Sequence, residues 1–330
     1  LEVSALGFGA IPIQRINEAQ AEAVILRAIE LGVTFIDTAA SYGDSQRKIG
    51  RAIKGRRDGL VLASKSPERS RQGMLDDIDR SRREMGVDCV DLYQYHNIAN
   101  QEIWREISAP GGAIDGLLEA KERGWIGHVG FTSHSLQMSL ELVCDERFET
   151  IQFPFNLVTR EPADDLIPLA RKHNLGFIVM KPLCGGEYDD AELAFRFLNA
   201  YPDLLPIPGI ERIDEIEQIV SVVEAGKVLE GDLLRRAREV ADRLGKLFCR
   251  RCGYCLPCPQ GIQVNMAMLW DGFVKRFPKD GLLQGPAPIV AKASECTRCG
   301  ACESRCPYDL PIMDTIAANA KAANAALAQK

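Results

Sequence analysis

Four side chains suited to moving protons stand at regular points early in the sequence. Segment 35–43 carries a carboxylate, Asp37, and a phenol, Tyr42, five positions apart. Lys65 ends a second apolar run and His96 ends a third. A phenol has a pKa of about 10 and is alone a poor proton donor or acceptor near neutral pH. An ammonium beside it favours the phenolate, and a carboxylate can hold that ammonium in place. His96 adds a second proton carrier. Taken singly, an Asp after a strand reads as a turn or cap residue, and a lone His as a structural hydrogen-bonder. Four such residues at three successive strand ends read instead as general acid–base machinery built around a phenol.

The elements that must position them follow from the apolar pattern. Val33, Phe35 and Ile36 make a strand over 33–36 that is covered on both faces. Similar runs predict strands over 60–64 and 91–95. The rest of the first two-thirds alternates in the same way, with further strands over 5–10, 128–132, 150–153, 176–180 and 204–207. Helices are predicted over 17–32, capped by Asn17 and stopped by Gly32, and over 45–54, 70–85 and 113–123. Others follow over 136–144, 163–173, 190–201 and 213–224. A longer connection is expected over 97–112. Eight strand–helix pairs in about 225 residues is the count of a (β/α)8 barrel, which keeps its chemistry at the C-terminal strand ends. An open doubly wound sheet is the rival. Against it, the first turn after Gly7 and Gly9 lacks the GxGxxG spacing of a dinucleotide fold.

The tetrad Asp37, Tyr42, Lys65 and His96, with Gly7, Gly9, Gly43, Gly50 and Asp91 around it, resembles that of the aldo-keto reductases over residues 1 to 225. The resemblance implies a nicotinamide cofactor across the barrel mouth and hydride exchange with a carbonyl carbon. Tyr42 is then the proton donor, Lys65 its modulator, Asp37 the partner of Lys65, and His96 the group that orients the carbonyl oxygen. It also implies cofactor contacts at Thr132, Ser133, Gln152, Met180, Lys181, Pro182, Leu183, Gly209, Arg212, Glu215 and Gln218. Two of these places depart from the family pattern. Thr132 and Ser133 stand where Ser-Asn is usual, and Met180 where an aromatic ring stacks on the nicotinamide. Arg212 points to NADPH over NADH, with a solvated arginine at a helix start as the alternative. Phe131, His134, Phe155 and Trp104 are candidate pocket aromatics.

Cysteine usage marks a second region. Of 11 cysteines, Cys89, Cys144 and Cys184 are scattered and read as small buried hydrophobes, Cys184 lying where it could line the mouth. The other eight fall in two groups after residue 248. Cys296-x2-Cys299-x2-Cys302-x3-Cys306-Pro307 is the bacterial ferredoxin run for a [4Fe-4S] cluster, in which the last cysteine serves the partner cluster. Cys249-x2-Cys252-x2-Cys255-x2-Cys258-Pro259 is one residue shorter before its last cysteine. Swapped ligation gives one ring of Cys249, Cys252, Cys255 and Cys306 and another of Cys296, Cys299, Cys302 and Cys258. Zinc, or a single cluster with spare thiols, are the alternatives.

The expected organisation is thus a barrel over 1–228, a linking helix over 229–248 and a small, mostly helical dicluster ferredoxin-like domain over 249–330. Within the last, 264–277 is predicted helical, 281–288 an irregular loop, and 314–330 a solvated alanine-rich helix. This combination resembles a subgroup of aldo-keto reductases with a C-terminal dicluster domain. Its cluster region replaces the usual substrate loop and is expected to form a wall of the site.

Three functional readings stay open. The first is a reductase coupled to the clusters, the second a plain carbonyl reductase with a structural or docking cluster domain. The third is an electron-transfer module that no longer uses nicotinamide. Nicotinamide moves two electrons and a cluster one, so coupling calls for a flavin or a radical-tolerant substrate, and no flavin motif is present. A net charge of -6 gives no basic footprint for nucleic acid. No apolar run approaches the ~20 residues of a membrane span. Grouped cysteines imply a reducing, cytoplasmic setting, and the expected partners are a small carbonyl or alcohol and a ferredoxin-like protein. The opening at Leu1, without a signal-like segment, suggests that a few leading residues are missing.

Overall fold

The computed structural model describes residues 1–329, the side chain of Arg276 excepted; Lys330, the last residue of the expected tail helix, lies outside them. Eight parallel strands pair in sequence order: β1 (Gly7–Gly9), β2 (Phe35–Asp37), β3 (Val61–Ser66), β4 (Val90–Tyr95), β5 (Ile126–Thr132), β6 (Thr150–Pro154), β7 (Gly176–Met180) and β8 (Leu205–Ile207). The ring closes where Gly9 N–H donates to Pro208 O at 2.8 Å and Ile210 N–H to Gly9 O at 3.3 Å. This closure excludes the open doubly wound sheet and gives the expected (β/α)8 barrel. The seam needs glycine: a Cβ at Gly9 would sit 2.6 Å from the Pro208 carbonyl oxygen.

Strand side chains alternate between the barrel interior and the surrounding helices. Phe35, Val61, Ala63, Leu92, Ile178 and Ile207 form one buried interior cluster. Their neighbours Ile36, Leu62, Tyr93, Ile151 and Val179 pack outward into the main core beneath the helices. Taking that alternation two residues further along each strand brings Asp37, Lys65, Gln94, His96, Thr132, Gln152 and Met180 to the inner C-terminal rim.

The helices start where their caps allow. Asn17 accepts from Gln20 N–H at 2.9 Å before Glu18–Glu30, and Ser70 caps Arg71–Met85. The helix Gly231–Gly245 rests on the barrel through Leu233, Ala237, Val240 and Leu244. Beyond it, residues 262–329 form several short helices and the long helix Ile312–Ala328 around two small cores.

Several expectations are corrected here. The connection over 97–112 contains the helix Gln101–Ser108, capped by Asn100. The predicted helix over 264–277 breaks into Val264–Ala267 and Trp270–Arg276. The supposed loop over 281–288 is helical, as Lys279–Gln284 and Pro286–Ala291. Pro286 occupies the first helical turn, where its missing N–H leaves nothing unpaired, and Leu282, Leu283 and Val290 bury against Trp270 and Phe273. The tail helix Ile312–Ala328 is not simply solvated: Ile312, Ile316, Ala320 and Ala323 are buried along one face. Among the described residues no helix is long and apolar enough to cross a membrane.

Gly9→Ala is expected to destabilise the chain by about 1–3 kcal/mol, the usual range for overpacking. The check is the urea midpoint followed by far-UV circular dichroism, and an unchanged midpoint would mean the seam has room for a methyl group.

Candidate functional site

The site is built around Lys65, which is buried at the end of β3. Its ammonium has three donors, and each has a partner. It donates to Asp37 Oδ2 at 2.6 Å, to Thr38 O at 2.7 Å and to the Tyr42 hydroxyl. For Lys65, burial lowers the pKa, and the Asp37 carboxylate and Tyr42 more than compensate, so the ammonium is held above its ordinary range. Burial pushes the Asp37 carboxyl up, against the pull of the Lys65 charge and the bonds from Lys65 and Gln94. The Gln94 Nε2–Asp37 Oδ1 distance is 3.5 Å.

Tyr42 sits in the loop after β2. Thr38 Oγ1 and Ser45 Oγ lie 2.9 Å apart across the base of that loop, and Ser45 Oγ donates to Ala10 O at 3.0 Å. Gly43 turns the chain with φ of 54°, a left-handed conformation that glycine takes without strain. The Tyr42 ring lies with its centroid 5.1 Å from Lys65 Nζ and 5.9 Å from the His96 ring, edge to face at 80°. His96 is half-buried, with an edge on the mouth. Burial first, then the charges of Lys65 and Arg251, push its pKa down to about 3. His96 is therefore neutral at physiological pH, able to donate a hydrogen bond from one ring nitrogen. The four residues singled out in the sequence thus converge.

The cofactor candidates divide. Gln152 is buried on the inner rim, and its Oε1 has no hydrogen-bond partner among the described residues. Gln94 Oε1 and Asn97 Oδ1 are in the same position. A primary amide such as the nicotinamide carboxamide supplies N–H donors of the kind these acceptors lack. Thr132 Oγ1 accepts from Asn97 N–H at 2.8 Å, and Ser133 Oγ is engaged with Ile98 O at 2.7 Å. Met180 is half-buried at the end of β7, followed by Lys181 at φ 59°. Asn156 holds this loop by donating to Lys181 O at 2.9 Å. Pro182 and Leu183 continue that loop. Gly209 lies at the barrel seam. Arg212 and Gln218 are exposed. Glu215 accepts from Glu211 and Arg212 N–H, capping the helix Ile213–Glu224, while Arg212 pairs with Asp214 and Glu215 at 3.0 Å.

Some expectations fail. Phe131 and Phe155 do not line the mouth. Strand alternation turns Phe131 outward onto Phe148 at 4.8 Å, and Phe155 packs on Phe197 and Tyr201. Trp104 lies against Phe148 and Arg147. Of the three scattered cysteines only Cys184 is buried, its thiol pushed up to about 12 by burial. Cys89 is half-buried, and Cys144 is exposed beside His173 at 3.5 Å.

The eight clustered cysteines line two pockets. One is ringed by Cys249, Cys252, Cys255 and Cys306, with Met268, Tyr308, Leu310 and Ile312. The other is ringed by Cys258, Cys296, Cys299 and Cys302, with Ile262, Val264, Met313 and Ile316. Among the described residues no three ligating side chains are gathered tightly enough for a single ion. Four thiols spread around a cavity suit a cluster better than zinc, whose ligands converge at about 2.3 Å. The two CxxC turns share a backbone: Arg251 and Arg298 have φ of 64° and 54°, and Gly253 and Gly300 follow at 84° and 77°.

The first ring lies against the barrel. Phe248 is buried in the barrel core, and Arg250 donates to Val158 O at 3.2 Å and stacks on Tyr308 at 3.7 Å. Cys249 feels the charge of Lys181, and Lys275 reaches Glu187 at 3.3 Å. Strand alternation from His96 could have found Gln94. Nothing in the sequence pattern signalled Asn97 or Arg251.

Residues 5–192 match the aldo/keto reductase family model, and residues 248–311 match a 4Fe-4S dicluster domain model. The chain is similar to the aldo-keto reductase YhdN of Bacillus subtilis, with 28% identity over 49% of this chain and 51% of that protein. It is also similar to the aldo-keto reductase yakc [NADP(+)] of Schizosaccharomyces pombe, with 26% identity over 56% of this chain and 59% of that protein. It thus spans little more than half the length of these relatives. In fold it resembles an aldo-keto reductase of Bacillus halodurans in its holo form, at 23% identity and TM-score 0.62, covering 74% of this chain and 93% of that one. A Klebsiella pneumoniae aldo-keto reductase in complex with NADPH is similar at 23% identity and TM-score 0.62, covering 72% of this chain and 91% of that one.

The His96 environment has a measurable consequence. The unfolded chain takes up this proton at about pH 6.5, the folded chain only at about 3. Stability is therefore undiminished by this group above the unfolded value. It falls by up to ~1.4 kcal/mol per pH unit as pH drops through that window. His96→Gln should flatten the fall in urea midpoint between about pH 7 and 5; parallel curves for the two proteins would show that His96 protonates in the folded state.

Proposed function

The chain belongs to the aldo/keto reductase family and carries a 4Fe-4S dicluster domain; from that premise we propose that it is an NADPH-dependent oxidoreductase interconverting a carbonyl and an alcohol, with two [4Fe-4S] clusters beside the site. The observation that carries the reading is the Lys65 ammonium, bonded at once to Asp37, Thr38 O and the Tyr42 hydroxyl on the inner rim. When bound, the nicotinamide gives or takes a hydride and the clusters hold single electrons.

The chain's own groups do the rest. Tyr42 passes its proton to the carbonyl oxygen, or takes it from the alcohol in the other direction. The Lys65 charge stabilises the phenolate left behind, and Asp37 keeps that charge in place. Neutral His96 donates a hydrogen bond toward the same oxygen and orients the substrate. Gln152 would hold the carboxamide, Met180 would pack on the ring as a loose thioether contact, and Thr132 and Asn97 complete that wall. Lys181, Pro182 and Leu183 would border the cofactor. The start of the helix Ile213–Glu224, with Gly209 and Arg212, suits its phosphates, and Glu215 and Gln218 lie on the same turns. NADPH is preferred because one similar structure contains it and one relative is named for NADP(+). Cys249, Cys252, Cys255 and Cys306 would hold the cluster nearer the mouth, and Cys296, Cys299, Cys302 and Cys258 the other.

Tyr42→Phe should lower turnover of a carbonyl substrate by about 10²–10⁴ while leaving the NADPH dissociation constant unchanged. Full retention of turnover would remove Tyr42 from the proposed role. An anaerobic titration with NADPH, followed by the visible cluster band and EPR, tests electronic contact. Bleaching with a reduced-cluster signal supports coupling, whereas bound NADPH with oxidised clusters assigns the domain to structure or docking. Swapped ligation is tested by iron content. Cys249→Ser with Cys306→Ser should lose no more iron than either alone, whereas Cys296→Ser with Cys306→Ser should lose the iron of both clusters. The opposite pattern would mean that each cysteine run holds its own cluster.

A further inference from the structure

The first cysteine run is one residue shorter than the second before its last cysteine. The difference falls where the chain passes from one ring of cysteines to the other. In the first run the passage is Leu256-Pro257, between Cys255 of the first ring and Cys258 of the second. In the second run it is Glu303-Ser304-Arg305, between Cys302 of the second ring and Cys306 of the first. The place just before the last cysteine is thus held by Pro257 in one run and by Arg305 in the other.

Arg305 joins the two passages. Its Nε donates to Ala301 O at 2.7 Å, inside its own turn. Nη1 donates to Leu256 O at 2.9 Å, and Nη2 to Cys255 O at 3.1 Å and Pro257 O at 2.8 Å. Four of the five guanidinium N–H groups are used. Three of the acceptors are consecutive carbonyls of the first passage. A planar fork can meet such a row, whereas an ammonium offers its donors from a single point. The same side chain lines the second pocket. Arg298, also exposed and between cysteines of the second run, makes no such link: its guanidinium pairs with Asp314 at 2.7 Å.

We propose that Arg305 is a positioning residue for both clusters: it holds the two passages together, and its charge at their junction raises both reduction potentials. This rests on the reading of two clusters with crossed ligation given above. Cys258 and Cys306 are the ligands that each run contributes to the other run's ring. Both follow directly on segments that Arg305 fixes, so loss of the fork displaces one ligand from each ring. The charge acts separately from the fork. A [4Fe-4S] group on four thiolates is an anion and becomes more negative when it takes an electron. A cation fixed nearby therefore favours the reduced form.

The test uses the full chain loaded anaerobically with its clusters. Iron release to bathophenanthroline disulfonate is timed, and the potentials are read by EPR during titration with dithionite. Arg305→Gln should release the iron of both clusters about tenfold faster, as expected for loss of charged hydrogen bonds, and move both potentials to more negative values. Arg305→Lys keeps the charge without the fork, so it should release iron nearly as fast as Arg305→Gln yet hold its potentials near those of wild type. Arg298→Gln should release iron at the wild-type rate. If Arg305→Gln assembles no cluster, Arg305→Lys carries the comparison and must release iron faster than wild type. Wild-type release rates in the Arg305 variants, faster loss of one cluster only, or unchanged potentials in Arg305→Gln would each overturn the proposal. Iron content separates it from its premise. About eight irons per wild-type chain, with release indifferent to Arg305, would keep the cluster pair and reject the role of Arg305. About four irons per wild-type chain would reject the pair, and the role with it.

Discussion

The buried pair of Lys65 and Asp37 constrains everything around it. Removing two charges from water carries an effective penalty of several kcal/mol per ion. It is offset only where geometry is good and every remaining donor is satisfied. Here the contact is 2.6 Å and the ammonium's other two protons go to Thr38 O and Tyr42. Such a pair gains little as a stabilising device, because apolar side chains of similar volume would serve stability as well. What it does supply is a fixed positive charge against a phenol. The register follows from this need. β2 and β3 pair so that Asp37 lies beside Ala63, one inward step below Lys65, and the loop after β2 must then return Tyr42 over the ammonium.

Alternation along the strands explains why the same interior can be both dry and chemical. Phe35, Val61, Ala63, Leu92, Ile178 and Ile207 fill the barrel below, and on β2, β3 and β4 the next inward residues, Asp37, Lys65 and Gln94, are polar. Charges resting on an apolar floor are poorly screened, so each acts strongly on its neighbours. The low pKa of His96 is an outcome: burial is the leading cause, and two cations, Lys65 and Arg251, add to it. One of those cations, Arg251, belongs to the cluster domain.

Legibility from the sequence followed the physics of each signal. Strand ends were readable because parallel strands buried on both faces are continuous apolar runs, and the tetrad residues interrupt those runs with charge. Asn17 was readable as a cap because its side chain acts within four residues. The cysteine spacing was readable because ligation geometry is local. What escaped reading depends on distant partners. Pro286 and Gly285 look like loop residues until Trp270 and Phe273 supply an apolar surface for Leu282 and Val290. The alanine-rich tail shows its buried face only against Val264 and Leu310. Phe131 was misassigned because an aromatic near a motif was weighed above its strand position. Arg251 could not be distinguished from Arg298 in the sequence, since the difference lies in which body each turn rests on.

That difference bears on how the two parts work together. The two CxxC turns have nearly the same backbone angles, so the repeat accounts for their shape but not for their surroundings. The first turn is fastened to the barrel by Phe248 and Arg250, whereas Arg298 of the second turn pairs with Asp314 within the cluster domain and Cys299 is exposed. Both turns place an arginine in the left-handed region, which is uncommon for residues other than glycine, so that conformation belongs to the CxxC turn itself and not to its contact with the barrel.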